Sequence, residues 1–178
     1  MKITTSDSIY IQKSDLFSLY KINYPVSKGI KSKIYDSVVL GNNPSTDFVK
    51  FDEKEDIELL KTMDWILELD EITNMSLSDI NRISEEVIEE QDRIFHSKER
   101  IIGPIDRTDI LNLKIKSLRE ALLYKQGLLK IRLPKEIRII YPQPKKKFYK
   151  KNYRKNIVIC IIKYICYNTK QLRWNKWK

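Results

Sequence analysis

The chain is short of the residue types that carry most polar catalysis. Its 178 residues include one histidine, two cysteines, four glycines and a single alanine, Ala121. The one histidine, His96, leaves a His-based triad with a base and no evident partner. The glycines, at positions 29, 41, 103 and 127, are too scattered for a loop that cradles phosphate. The usual hydrolase, kinase and dinucleotide motifs do not occur. Cys160 and Cys166 make neither a disulfide framework nor a four-ligand zinc site. Sparse cysteine, with Asp7 and Asp15 where a signal peptide has its apolar run, predicts a reducing, cytoplasmic setting. No stretch reaches the ~20 apolar residues of an ordinary membrane-spanning helix. No enzyme and no cofactor is implied.

What the chain does have is charge, unevenly placed. Charged residues make up 33% of it, apolar ones 42%, and the net charge is +10. Residues 1–134 hold 20 basic and 23 acidic groups, whereas residues 135–178 hold 14 basic groups and one acid, Glu136. The bulk charge therefore describes the C-terminal part. A concentrated cation attracts polyanions, whether nucleic-acid phosphates or anionic lipid headgroups.

Length and patterning predict one α+β domain over 1–141 and a basic aromatic tail over 142–178, with Pro142 and Pro144 at the boundary. The domain is expected to have short N-terminal strands, three main helices and a small C-terminal β-hairpin. Ile9–Ile11, Phe17–Ile22 and Ile34–Leu40 are aromatic and β-branched, as strands are. The last is closed by the turn sequence Gly41-Asn42-Asn43-Pro44-Ser45. From Asp52 the period changes: Leu59, Met63 and Ile66 form a stripe widened by Leu60, Trp65 and Leu67, which predicts a well-buried helix.

A second helix starts at Ser76. Asp79 completes a capping box, and Met75 with Ile80 makes a hydrophobic staple. Ile80, Ile83, Val87 and Ile94 line its inner face, with Gln91 as the one polar member. A third helix starts near Asp106 or Thr108 and carries Leu111, Ile115, Leu118 and Leu122. It should end in a Schellman motif, with Gly127 left-handed and Leu128 against Leu123. The two longest helices are expected to pair as an antiparallel hairpin. Leu129, Ile131 and Leu133 then alternate with Lys130 and Arg132, predicting a strand whose hairpin partner is Ile137–Tyr141.

Two surfaces emerge as candidate sites. Residues 52–92 hold 15 acids against 3 bases. Glu85, Glu86, Glu89 and Glu90 form the core of a possible protein-binding face, in the manner of small phage or mobile-element inhibitors and adaptors that mimic nucleic acid. The competing reading is internal: Glu86, Glu89 and Glu90 facing Lys114, Lys116 and Arg119 across the helical hairpin. Glu85, Glu89, Asp92 and His96 also fall on one helix face, where a metal could be held. A solvated charged face is the plainer reading, and no metal site is assigned.

The second surface is the tail. Lys145, Lys146, Lys147, Lys150, Lys151, Arg154 and Lys155 are seven cations in eleven residues, interleaved with Phe148, Tyr149 and Tyr153. The cations can neutralise phosphates, and the rings can stack on unpaired bases at ~1–3 kcal/mol per base. Six neutralised phosphates on duplex DNA correspond to a log–log salt slope of about −5. DNA or RNA is the leading expected partner. An anionic membrane surface is the next, because Ile157–Tyr167 is nearly all apolar and flanked by cations. A third reading is that the tail is not a selected sequence. Lys, Asn, Tyr and Ile make up 23 of the 34 residues from 145 to 178, the set that AT-rich DNA encodes in any frame. A frameshift or read-through near codon 144 would produce such a change.

Overall fold

In the computed structural model the described residues are 1–97, 106–138, 140, 141 and 144, within one compact unit spanning Met1–Lys145. They form six helices and a three-stranded antiparallel sheet. The strands are β1 (Lys2–Thr4), β2 (Ile9–Gln12) and β3 (Phe48–Phe51), in the order β1-β2-β3. Ile3 pairs with Tyr10, and Ile11 with Val49. The helices are α1 (Lys13–Lys21), α2 (Lys28–Ile34), α3 (Lys54–Lys61), α4 (Leu69–Asn74), α5 (Leu77–His96) and α6 (Arg107–Lys125). A π-helical turn, Tyr35–Val39, continues α2.

The period of two along the strands divides the core. Ile9, Ile11, Val49 and Phe51 join one apolar cluster, with Leu16, Leu19, Ile30, Ile34 and Leu60. Ile3, Tyr10 and Phe48 join the other, with Ile72, Ile80, Val87, Leu118 and Tyr124. Successive strand side chains point to opposite faces, so the sheet is the middle layer: α1–α3 cover one face and α4–α6 the other. The central strand β2 is accordingly buried along its whole length. Ile110 and Leu113 of α6 reach the first cluster as well and tie the layers together.

Ile9–Ile11 is a strand as expected. Phe17–Ile22 is not: residues 13–21 are the helix α1. Leu16 and Leu19, three apart, point inward, while the aromatics that suggested a strand, Phe17 and Tyr20, are exposed. Ile34–Leu40 is helical too. Ser27 caps α2 by accepting from the Ile30 amide at 3.1 Å, and Ile30 and Ile34 bury one face four residues apart. In both segments a helical contact face prevails over β propensity. The Gly41–Ser45 turn forms, with left-handed φ at Gly41 (70°) and Asn43 (58°).

The helix expected from Asp52 is shorter than its apolar stripe. It ends at Lys61, where the Thr62 hydroxyl donates to the Leu59 carbonyl at 2.7 Å. Met63, Trp65, Ile66 and Leu67 remain buried, but on irregular chain. The Leu67 amide donates to Ser117 Oγ at 3.2 Å, and its carbonyl accepts from the Lys2 amide at 2.9 Å. Contacts with β1 and α6 replace those a longer helix would make.

α5 and α6 form the antiparallel pair. Lys125, at the end of α6, donates to the Thr73 carbonyl just before α5; Gln91, late in α5, donates to Asn112 Oδ1, early in α6. That bond, at 2.8 Å, accounts for the polar member of the stripe, since Gln91 is buried. The capping box at Ser76 and Asp79 is present, and Asp106 caps α6. α6 ends in the Schellman pattern: Leu128 N–H donates to the Leu123 carbonyl, Gly127 N–H to Tyr124, and Gly127 has φ 68°. Its apolar contact is not buried, because Leu128 is 63% exposed.

The hairpin expected over 129–141 is not a ladder in the described residues. Ile131 and Leu133 are buried and Lys130 and Arg132 exposed, so the alternation is real. Its backbone instead meets the chain just before β3, where Asp47 N–H donates to the Arg132 carbonyl at 2.9 Å. After Pro134 the chain makes helical turns, with the Ile137 and Arg138 amides donating to the Pro134 carbonyl.

Candidate functional site

The tail residues Lys145, Lys146, Lys147, Phe148, Tyr149, Lys150, Lys151, Tyr153, Arg154 and Lys155 lie outside the described residues. The acidic candidates are described. Glu85, Glu86 and Glu89 are exposed on the outer face of α5, and Glu90 is half-buried. The structure does not bring them to Lys114, Lys116 and Arg119. Glu86 pairs with Arg82 one turn back at 2.6 Å, and Glu90 with Arg107 at the start of α6. Lys116 turns the other way, toward α1, where its ammonium donates to the Ser14 carbonyl at 2.6 Å and Ser18 Oγ at 2.7 Å. The antiparallel register thus puts Arg107, not Lys116, opposite the late α5 acids. Asp92 and His96 are exposed beside Glu85 and Glu89. Among the described residues no three His, Cys, Asp or Glu side chains gather as a cation site requires. Nor is any described helix long and apolar enough to cross a membrane.

A cleft of about 520 Å³ lies beside the sheet, and sequence patterning did not indicate it. Lys13 opens α1 and Lys33 sits late in α2. Lys50 projects from β3 opposite Tyr10 of β2, while Lys135, Glu136 and Arg138 come from the turns after Pro134. Five cations and one carboxylate therefore line it. Three interactions give it its shape. The left-handed turn aims the Asn42 and Asn43 carbonyls at Lys13 Nζ, 3.1 and 2.7 Å away. The Arg132 guanidinium donates twice to Asp47, at 3.0 and 2.6 Å, fixing residues 132–138 against the chain before β3. Tyr10 Oη donates to Glu136 at 3.1 Å.

The cations here are under-neutralised. Asp52 is shared by Lys33 at 3.3 Å and Lys50 at 3.8 Å, and Glu53 adds a longer contact to Lys33. The hydrogen bond from Lys33 holds the Asp52 carboxyl below its usual range. Lys13 and Arg138 are met by carbonyl oxygens, which carry no net charge. Partial burial pulls the Lys13 pKa down, Asp47 opposing the effect. Lys135 has no ion-pair partner among the described residues and is exposed. Such an arrangement can hold an anion.

The cleft was illegible because its lysines are spread over the first fifty residues and mixed with acids. Only the fold collects them beside Lys135 and Arg138, the two described cations of the basic C-terminal region. Comparison of the chain with family models, with curated proteins and with solved structures found no match.

Proposed function

We propose that this is a non-enzymatic cytoplasmic interaction protein that binds polyanions, nucleic acid foremost, through the basic aromatic tail from Lys145 to Lys155. The observation that carries the reading is the partition of charge, with 14 of the 34 basic groups and only one acid after residue 134. Lys135 and Arg138, which open this region, are exposed on the folded body and support it. Cations at this density exchange bound salt ions for phosphates, so affinity falls steeply as salt rises.

The test is the full chain with Lys145, Lys146, Lys147, Lys150, Lys151, Arg154 and Lys155 all changed to Gln. Anisotropy of a labelled single-stranded oligonucleotide, followed across a salt series, should lose a log–log slope of about 5. An unchanged slope overturns the reading. Flotation with anionic vesicles at equal phosphate concentration is the control: tighter binding there than to the oligonucleotide moves the assignment to the membrane surface.

A second reading, a protein partner on α5, is favoured by the outward exposure of Glu85, Glu86 and Glu89 on one regular helix. Loss of a captured basic partner on changing Glu85 and Glu89 to Lys would support it.

A further inference from the structure

We propose that the cleft beside β3 is a second phosphate-binding site, in the folded body, which seats the phosphodiester backbone of the strand held by the tail. It deepens the reading above and rests on it. Lys50 and Lys135 are exposed, Lys13 is half-buried, and the one lining carboxylate, Glu136, which accepts from the Tyr10 hydroxyl, offsets only one of the five lining cations. Ser37 also lines it, whereas the lining hydroxyls of Ser45 and Thr46 are already donated, to Asn43 Oδ1 at 2.6 Å and to the Arg132 carbonyl at 2.9 Å. Ammonium groups and hydroxyls together are the donors that phosphate oxygens accept from. At about 520 Å³ the cleft exceeds what a lone phosphate fills. Lys135, Glu136 and Arg138 belong both to the cleft wall and to the C-terminal region rich in cations. A strand held by the tail is therefore kept at high local concentration near the cleft, and two weak contacts act as one stronger one.

Four forms of the full chain separate the sites: unaltered, K50Q/K135Q, the tail form with seven glutamines, and the two combined. Glutamine removes the charge but keeps a polar, unbranched side chain, and both cleft positions are exposed, so folding is preserved; far-ultraviolet circular dichroism checks this. Two lost phosphate contacts should lower the single-strand salt slope by about 1.4 and weaken binding about 20-fold near 0.1 M salt. In the unaltered protein the amide resonances of Lys13, Lys50 and Arg138 should shift on adding the oligonucleotide. If K50Q/K135Q leaves slope and affinity unchanged in both backgrounds, the cleft proposal is overturned, whatever the tail does. If the tail form binds as before and K50Q/K135Q removes that binding, the cleft stands and the tail reading fails. A mononucleotide bound as tightly as the strand, or polyglutamate bound equally well, overturns the assignment to a strand backbone.

Discussion

Two charged regions of the body use the same residue types to opposite ends. Where β1, α1 and α6 meet, the α-ammonium of Met1 is fully buried and bonded to Asp15, with Gln12 Oε1 at 3.3 Å. Lys116 lies 3.8 Å from Asp15 and 3.6 Å from Glu120, and Ser14 donates to Glu120 at 3.1 Å. Each basic group there has a carboxylate beside it, so the cluster is closed and has no capacity for a ligand. In the cleft, neutral carbonyls satisfy Lys13 and Arg138, and one aspartate serves two lysines. That cluster is open to an anion. The lesson is that lysine content does not make a site; the carboxylates the fold withholds do.

The contrast breaks most readily at Asp15. Asp15→Ala removes the acceptor of the buried Met1 amino group and leaves half-buried Lys116 with Glu120 as its carboxylate partner. A buried polar group left without its hydrogen-bond partner costs about 1–3 kcal/mol, and equilibrium denaturation should show a loss of that order. Oligonucleotide affinity, measured where the variant is still folded, should not change, because Asp15 does not line the cleft. A loss of affinity matching that of K50Q/K135Q would mean that the two clusters are not independent.

The closed cluster also predicts a pH dependence. Burial lowers the α-amino pKa from 8.0 to about 5. Between those values the unfolded chain binds a proton that the folded chain does not, so stability rises with pH across the window. Thermal midpoints should increase from pH 5 to pH 8. A flat profile would mean that Asp15 keeps the group protonated when folded.

How much of this was legible depended on how local the cause was. Ser76 and Asp79 are three residues apart, and Gly127 sits beside the helix it ends, so these boundaries followed from adjacent residues. Gln91 stood out as a polar residue in an apolar stripe, though only Asn112 explains it. Phe17–Ile22 and Ile34–Leu40 misled because Phe17, Tyr20, Tyr35 and Val39 face outward on helices whose buried positions, among them Leu16, Leu19 and Ile34, are set by distant partners. Asp47 and Arg132, which shape the cleft, are far apart in the chain. Their pairing depends on the path of everything between them, and no composition or period reports it.

A smaller effect tests the cap of the acidic helix. Ser76→Ala should cost about 1 kcal/mol, as N-cap losses do. The Ser76 hydroxyl and amide hold the Asp79 carboxyl below its ordinary 3.8. A depressed folded value means the contribution is present above the unfolded pKa and fades as pH falls through the folded one. Wild type should therefore lose more stability than the variant on acidification below pH 4, and equal losses would remove Asp79 from the capping box.

The smallest expected effect sharpens the comparison from its acidic side. Glu85 and Glu89 are exposed on α5, with no ion pair to any described residue. Changing both to Gln should alter stability by less than about 0.5 kcal/mol, as exposed substitutions generally do. Oligonucleotide binding should keep its salt slope, since neither residue contacts a phosphate-bearing surface. A steeper slope in E85Q/E89Q would instead show that these carboxylates compete with phosphate for the tail cations. The acidic helix would then be a brake on binding rather than a solvated face.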